Sequence, residues 1–174
     1  MQCKGLEGED GFYSLRDKTI QNEHVDFSQF RGSVCLVVNT ACKCKLAELG
    51  FNIIKRLREE YPELKILLYP TAFNRFVDQE MKTPAEILEE IRKRGVVPSN
   101  NTLVFEKRVL NSGEGLFHWL TTKSMGSGFF KIKALKWNFT MFVVGKDAAK
   151  VVRHDPMSLE YAGVSESVRA LMNE

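Results

Sequence analysis

This sequence lacks three things: long hydrophobic runs, a large excess of one charge sign, and any cysteine after position 44. No apolar run approaches the roughly 20 residues that a membrane-spanning helix needs, and the N-terminus has no apolar core like that of a signal peptide. The 25 basic and 22 acidic residues leave a formal net charge of +3, whereas proteins that track a nucleic-acid backbone are strongly basic. We therefore expect a soluble cytoplasmic protein that does not bind nucleic acid.

The placement of cysteine and histidine argues against two further kinds of site. The four cysteines lie at positions 3, 35, 42 and 44, a poor layout for disulfides that staple a secreted fold, so we expect free thiols in a reducing compartment. Cys35 lies within an apolar run, where cysteine usually acts as a small buried hydrophobe. His24, His118 and His154 share no metal-ligand spacing, so we expect neither a metal site nor a bound cofactor.

The order of hydrophobic patterns predicts an α/β fold. The chain has 174 residues, 44% of them hydrophobic, which suits one core and a single domain over residues 1–174. In the first half of the chain we predict a hairpin over 11–25 with 11–15 as its first arm, a central buried strand over 34–38, an amphipathic helix over 46–61 with Leu49 on its apolar side, and a buried strand over 65–70 ended by Pro70. A helix from a Thr83 cap to Gly95 follows, then a turn at 111–113, a short helix over 116–120 and a loop at 126–128. The chain ends with a hairpin over 139–153 and a last helix capped by Ser165. This order indicates a mixed central sheet flanked by helices, as in thioredoxin-like folds.

The most informative single residue is Cys44, which follows the central strand where an amphipathic helix pattern begins. Cysteine reacts as its thiolate, and a helix N-terminus offers unpaired N–H groups and a partial positive charge that stabilise an anion. Lys43 and Lys45 add positive charge on both sides. Cys44 is therefore a candidate nucleophile.

Three separated motifs resemble those of the glutathione peroxidase family. The run 39–44, N-T-A-C-K-C, resembles the family's N-V-A-S-x-C/U-G, and Tyr69-Pro70 followed by N-R-F-V-D-Q-E at 74–80 resembles F-P-C-N-Q-F-G-x-Q-E. Residues 136–142 are almost the family's K-W-N-F-T-K-F. The likeness spans about residues 12 to 156, and the short stretch 111–136 is similar to the compact phospholipid-hydroperoxide type, which implies a monomer.

This resemblance implies a thiol peroxidase that reduces hydrogen peroxide and organic or lipid hydroperoxides. Cys44 would attack the distal peroxide oxygen, leaving an alcohol or water and a sulfenic acid. Trp137 and Asn138 would donate hydrogen bonds from an indole and a carboxamide N–H, which stabilise an anionic sulfur. Whether Cys44 replaces a native selenocysteine stays open.

The chain departs from the family pattern at several positions. Arg75 occupies the place that we assign to the family's catalytic glutamine, in a loop two residues longer than usual; its guanidinium can donate like an amide and adds a permanent charge. Gln79, four residues on, is a weaker substitute. Lys45 replaces a glycine, and Cys42 replaces a serine and would simply fill its space.

The lack of any cysteine after Cys44 argues against thioredoxin as the reductant, because the family members that use thioredoxin carry a resolving cysteine in a later helix. We expect glutathione or another thiol to attack the sulfenic acid directly. The alternatives are a thioredoxin-like reductant and resolution by Cys42 through a small, strained Cys42–Cys44 disulfide.

Two broader alternatives accompany the enzyme hypothesis. The changes at Arg75 and Lys45 are compatible with a peroxide sensor of weak turnover that passes oxidation to a partner protein. A basic face formed by Lys123, Lys131, Lys133 and Lys136 would suit peripheral contact with anionic phospholipid surfaces, although runs of charge are usually solvated.

Overall fold

A mixed β-sheet with helices on both faces forms the centre of the computed structural model, which describes residues 10–73, 76–110, 115–124 and 134–174. The strands are β1 (Arg16–Lys18), β2 (His24–Asp26), β3 (Cys35–Thr40), β4 (Lys65–Ala72), β5 (Thr102–Val104), β6 (Arg108–Val109), β7 (Met141–Val144) and β8 (Val151–His154). The helices are α1 (Asp10–Tyr13), α2 (Ala47–Glu60), α3 (Pro84–Lys93), α4 (Gly115–Lys123) and α5 (Tyr161–Met172), with 3-10 turns at Phe27–Phe30 and Pro156–Ser158.

The strand order of the main sheet is β5-β4-β3-β7-β8, with β6 beside the far end of β4. Strands β3, β4 and β5 run parallel, whereas β7 pairs antiparallel with both β3 and β8. The predicted mixed sheet and the predicted C-terminal hairpin are confirmed.

Strand β3 is central and buried along its whole length, as predicted. Its side chains alternate between two apolar clusters, with Leu36 and Val38 facing α2, α3 and α5, and Cys35 and Val37 facing α1 and α4. This alternation is the period-2 pattern of a strand covered on both faces. Cys35 is fully buried, which confirms its role as a small core side chain.

Helix α3 has the predicted start and end. The Thr83 hydroxyl accepts a hydrogen bond from the Glu86 N–H, and the Glu86 carboxylate accepts one from the Thr83 N–H, which completes a capping box. Pro84 occupies the first helical position, and Gly95 lies beyond the end with a φ of +79°.

Two expectations for the first half of the chain were wrong. Residues 10–13 form α1 rather than a strand, because the Phe12 ring packs between Phe27 and Trp119 and the neighbouring Tyr13 is buried as well. The hairpin consists of β1 and β2 alone. Strand β4 continues past Pro70 to Ala72, because its last two residues pair with β6, a strand too short to leave a sequence pattern.

Two helix details also differ from the prediction. Leu49 is 44% exposed, because Ala47, Gly50 and Phe51 occupy the buried side of the first turns of α2. Ser165 does not cap α5, which begins at Tyr161; its buried hydroxyl lies 2.8 Å from the Tyr61 hydroxyl. The predicted turn at 111–113 and loop at 126–128 lie outside the described residues.

Candidate functional site

Cys44 lies in the short connection between β3 and α2, three residues before the first residue of the helix. Its side chain is half-buried and its thiol is free. The sulfur accepts a hydrogen bond from the Leu46 N–H at 3.5 Å, and the Cys44 carbonyl accepts one from the Ala47 N–H at 3.0 Å. The helix N-terminus therefore supplies the sulfur with a backbone donor of the kind that stabilises a thiolate.

The residues before Cys44 form a tight turn, which we call the cysteine turn (Ala41–Cys44). The Cys44 N–H donates to the Ala41 carbonyl at 3.1 Å, which closes it. The Lys43 N–H donates outward to the Gln79 carbonyl at 2.8 Å, and the Lys43 ammonium donates to the Glu80 carbonyl at 3.3 Å. The loop that follows β4 therefore lies directly against the cysteine turn.

A second turn, Trp137–Thr140, is bound to the end of β3 by Asn39. The Asn39 carboxamide donates to the Trp137 carbonyl at 3.1 Å and accepts from the Thr140 N–H at 3.0 Å. The Asn39 carbonyl also accepts from the Phe139 N–H at 2.7 Å. Asn39 is thus a positioning residue to which the sequence reasoning gave no role, although it lies within the first family motif.

The shape of this second turn depends on Gly50. Phe139 has a φ of +65°, a left-handed backbone that side chains rarely adopt, and its ring packs edge-on against Phe51 with the ring centres 5.3 Å apart. A Cβ atom at Gly50 would lie only 2.1 Å from the Phe139 ring. Glycine in the first turns of α2 therefore makes room for the ring that holds the turn.

Asn138 of the second turn is in contact with Gln79 of the loop that follows β4. Asn138 is 1% exposed, and its carboxamide N–H donates to the Gln79 side-chain oxygen at 2.9 Å. The Asn138 oxygen has no hydrogen-bond partner within the described part of the chain. Gln79, which we ranked below Arg75, is thus in direct contact with a predicted site residue, whereas Arg75 lies outside the described residues.

Trp137, unlike Asn138, lies at the surface. Its side chain is 54% exposed, and Phe76 and Val77 of the loop after β4 are 97% and 47% exposed. Since Gln79 of that same loop contacts Asn138, the three apolar side chains belong to the two segments that meet beside the cysteine turn. The surroundings of the site therefore combine buried carboxamides with exposed apolar groups.

Cys42 has the opposite environment to Cys44. It is 3% exposed, and its carbonyl accepts a hydrogen bond from the Arg94 guanidinium at 3.0 Å. Burial first, and then the neighbouring Glu80 carboxylate, raise the pKa of the Cys42 thiol well above its ordinary value. At neutral pH Cys42 is therefore a neutral, buried thiol, which fits the space-filling interpretation better than a resolving role.

The part of the chain that the structure describes contains neither a metal-binding group nor a membrane-spanning helix. Within residues 10–73, 76–110, 115–124 and 134–174, no group of three or more His, Cys, Asp and Glu side chains is placed to hold a metal ion. No helix of this part of the chain is long and apolar enough to cross a membrane. Of the proposed basic face, Lys131 and Lys133 lie outside the described residues.

Comparison with known proteins agrees with the geometry. A sequence model of the family described as glutathione peroxidase matches residues 12–121. A probable phospholipid hydroperoxide glutathione peroxidase from Encephalitozoon cuniculi (strain GB-M1) is 32% identical over 161 residues, which cover 90% of this chain and 86% of that protein.

Solved structures confirm the predicted thioredoxin-like fold. The crystal structure of T. cruzi GPX1 has a TM-score of 0.64 and 20% identity, and the match covers 93% of this chain and 96% of that one. A thioredoxin-like protein from Aeropyrum pernix has a TM-score of 0.58 and 11% identity, with 90% of this chain and 88% of that one covered.

Proposed function

The chain belongs to the glutathione peroxidase family, whose members are oxidoreductases that act on peroxides, and we propose that Cys44 is the residue that its substrate oxidises. One observation carries this proposal. The half-buried thiol lies at a helix N-terminus, on a turn that is hydrogen-bonded to the segment carrying Gln79, which in turn contacts Asn138.

In the proposed reaction the Cys44 thiolate attacks the distal oxygen of the hydroperoxide. A sulfur–oxygen bond forms, the oxygen–oxygen bond breaks, and the leaving alkoxide takes a proton to become an alcohol, or water when the substrate is hydrogen peroxide. The Leu46 N–H already donates to the sulfur, and we propose the carboxamides of Gln79 and Asn138, which are hydrogen-bonded to each other, as the further donors that stabilise the anionic sulfur before the attack.

Glutathione or another small thiol is the proposed reductant. A first thiol attacks the sulfenic acid, releasing water and leaving a mixed disulfide; a second releases the Cys44 thiol and carries away the disulfide. Burial and a raised pKa disfavour Cys42 as the group that resolves the sulfenic acid, because the attacking species is a thiolate. A thioredoxin-like protein stays the alternative reductant.

The proposed substrates include lipid hydroperoxides as well as hydrogen peroxide. Phe76, Val77 and Trp137 are large apolar side chains exposed on the segments around the cysteine turn, and an acyl chain would cover them. The name of the Encephalitozoon cuniculi relative refers to the same class of substrate. Contact with phospholipid surfaces, a monomeric state and a cytoplasmic location complete the proposal.

Turnover of two cysteine variants tests this function. Hydroperoxide consumption with glutathione should be lost in Cys44→Ser and retained in the matched variant Cys42→Ser. Turnover that survives in Cys44→Ser would contradict the proposal. Turnover that occurs with thioredoxin but not with glutathione would show that the reductant is thioredoxin. A stable oxidised form that does not turn over would favour the peroxide sensor, which family membership does not favour.

A further inference from the structure

Glu80 is a buried acid that the proposed reaction does not use. It follows Gln79 in the loop after β4, and its side chain is only 1% exposed. Burying a carboxyl group is costly unless hydrogen bonds compensate, so a buried acid in a connecting loop calls for a reason. The hydrogen bonds that the Glu80 side chain accepts indicate why this acid is buried.

Both hydrogen bonds to the Glu80 side chain come from backbone N–H groups and end on the same oxygen. Oε1 accepts from the Cys42 N–H at 3.0 Å and from the Met81 N–H at 2.8 Å. Oε2 has no hydrogen-bond partner among the residues that the structure describes. The Cys42 bond links Glu80 to a residue 38 positions earlier in the chain, in the cysteine turn.

The Glu80 side chain joins the cysteine turn to the segment carrying Gln79, beside the bond from the Lys43 ammonium to the Glu80 carbonyl. The Cys42 N–H reaches its carboxyl group, the Lys43 N–H reaches the Gln79 carbonyl, and the Cys44 N–H closes the turn. Because Glu80 directly follows Gln79, one short segment fixes both the backbone beside the sulfur and the carboxamide that contacts Asn138.

We propose that Glu80 is a positioning residue, which holds the cysteine turn and the Gln79–Asn138 pair in one frame so that the sulfur and its donors meet the peroxide together. This inference rests on the proposed function of Cys44. Glu80 contributes no atom to the reaction, and its effect passes through the backbone of Cys42. Small displacements of a reacting group cost large factors in rate, so loss of the bond should act on the oxidation step.

Three substitutions separate this role from a general effect on folding. Glu80→Ala removes the acceptor of both N–H groups, and Glu80→Asp keeps the charge but is one methylene too short to reach both. Glu80→Gln keeps an oxygen in the place of Oε1, replaces Oε2 with an NH2 group and removes the acid. Glu59→Ala, at an exposed site on α2, is the matched surface control.

The experiment follows Cys44 itself in the reduced full-length protein, by mass spectrometry of its peptide. One arm measures its rate of oxidation by hydrogen peroxide. The other measures its limiting rate of alkylation by iodoacetamide at high pH, where the rate no longer rises with the fraction of thiolate, so that it depends on access to the sulfur and not on the donors. Glu80→Ala and Glu80→Asp should slow oxidation at least about tenfold and change alkylation less than about threefold, whereas Glu80→Gln should stay within about threefold in both.

Oxidation at the wild-type rate in both Glu80→Ala and Glu80→Asp would overturn the inference, as would equal losses in Glu80→Gln and Glu80→Ala. If buried Cys35 becomes alkylated in Glu80→Ala, that variant has lost its fold. The inference is then judged on the oxidation rate of Glu80→Asp, provided that Cys35 stays unalkylated in that variant. Failure of the proposed function has a different signature, because Cys44 of the wild-type protein would then not be oxidised at all.

Discussion

The two turns that form the candidate site are held in different ways. The Trp137–Thr140 turn is bound to the central strand by a single residue, Asn39, through three hydrogen bonds. The cysteine turn is bound mainly to another loop, through Gln79 and Glu80. Damage to the first turn should therefore reach the core of the sheet, whereas loss of the exposed Gln79 side chain beside the second turn should change reactivity with little change in stability.

Asn39→Ala should have the largest effect on stability. It leaves the buried Thr140 N–H without its acceptor and removes a donor from the Trp137 carbonyl, which should lower the free energy of unfolding by about 2–4 kcal/mol. Chemical denaturation measures this change. A loss below that of an exposed control such as Glu59→Ala would show that the first turn is not anchored through β3.

Gly50→Ala should come next. The added methyl overlaps the Phe139 ring, so the ring and its turn must move, at a cost of about 1–3 kcal/mol. Denaturation gives the cost, and peroxide turnover should fall with it because Asn138 precedes Phe139. Gly145→Ala is a milder comparison, since its added methyl would lie 3.4 Å from the nearest side-chain atom. Unchanged stability in Gly50→Ala would contradict the close approach.

Gln79→Ala should change the rate of Cys44 oxidation more than it changes stability. Gln79 is exposed, so stability should change by less than about 1 kcal/mol. Because Asn138 loses its carboxamide partner, oxidation of Cys44 by peroxide should slow about tenfold. Stopped-flow oxidation and denaturation on the same preparation measure both. A loss of stability as large as that of Asn39→Ala would erase the difference between the turns.

The pH dependence of stability gives the smallest effect. Burial raises the pKa of Cys35 to about 12 and that of Cys42 well above its ordinary value of 9.0, so both thiols stay protonated in the folded chain when they ionise in the unfolded one. The contribution of the two protonated thiols to the free energy of unfolding is complete below about pH 9 and is lost as the pH rises, by about 1 kcal/mol for each thiol at pH 10.

Cys42→Ser should therefore remove about half of the cysteine-dependent fall between pH 9 and pH 10, which denaturation at the two pH values measures. A fall of the same size in Cys42→Ser and wild type would mean that Cys42 is not shielded in the folded protein.

Local patterns predicted the parts of the fold that local physics determines. The continuous apolar run of β3, the Thr83–Glu86 capping box and the C-terminal hairpin carry their own signals. Strands β5 and β6 contain three and two residues, too few to show a period, and α1 is fixed by aromatic packing across the fold. These features follow from tertiary contacts.

The same distinction applies to the site. Cys44, Trp137, Asn138 and Gln79 belong to sequence motifs, and the resemblance to a known family was enough to name them as candidates. The positioning hydrogen bonds of Glu80 and Asn39 join residues 38 and about 100 positions apart, and no pattern within one segment reveals such partners. Buried polar side chains become informative only when their acceptors and donors are known.

The most direct test of the central claim is peptide mapping of the reduced protein after one equivalent of hydrogen peroxide, with and without glutathione. The account predicts one added oxygen on the peptide that contains Cys44, which glutathione converts first to a mixed disulfide and then to the free thiol. In the arm without glutathione, consumption of the peroxide while that peptide stays unmodified would contradict it.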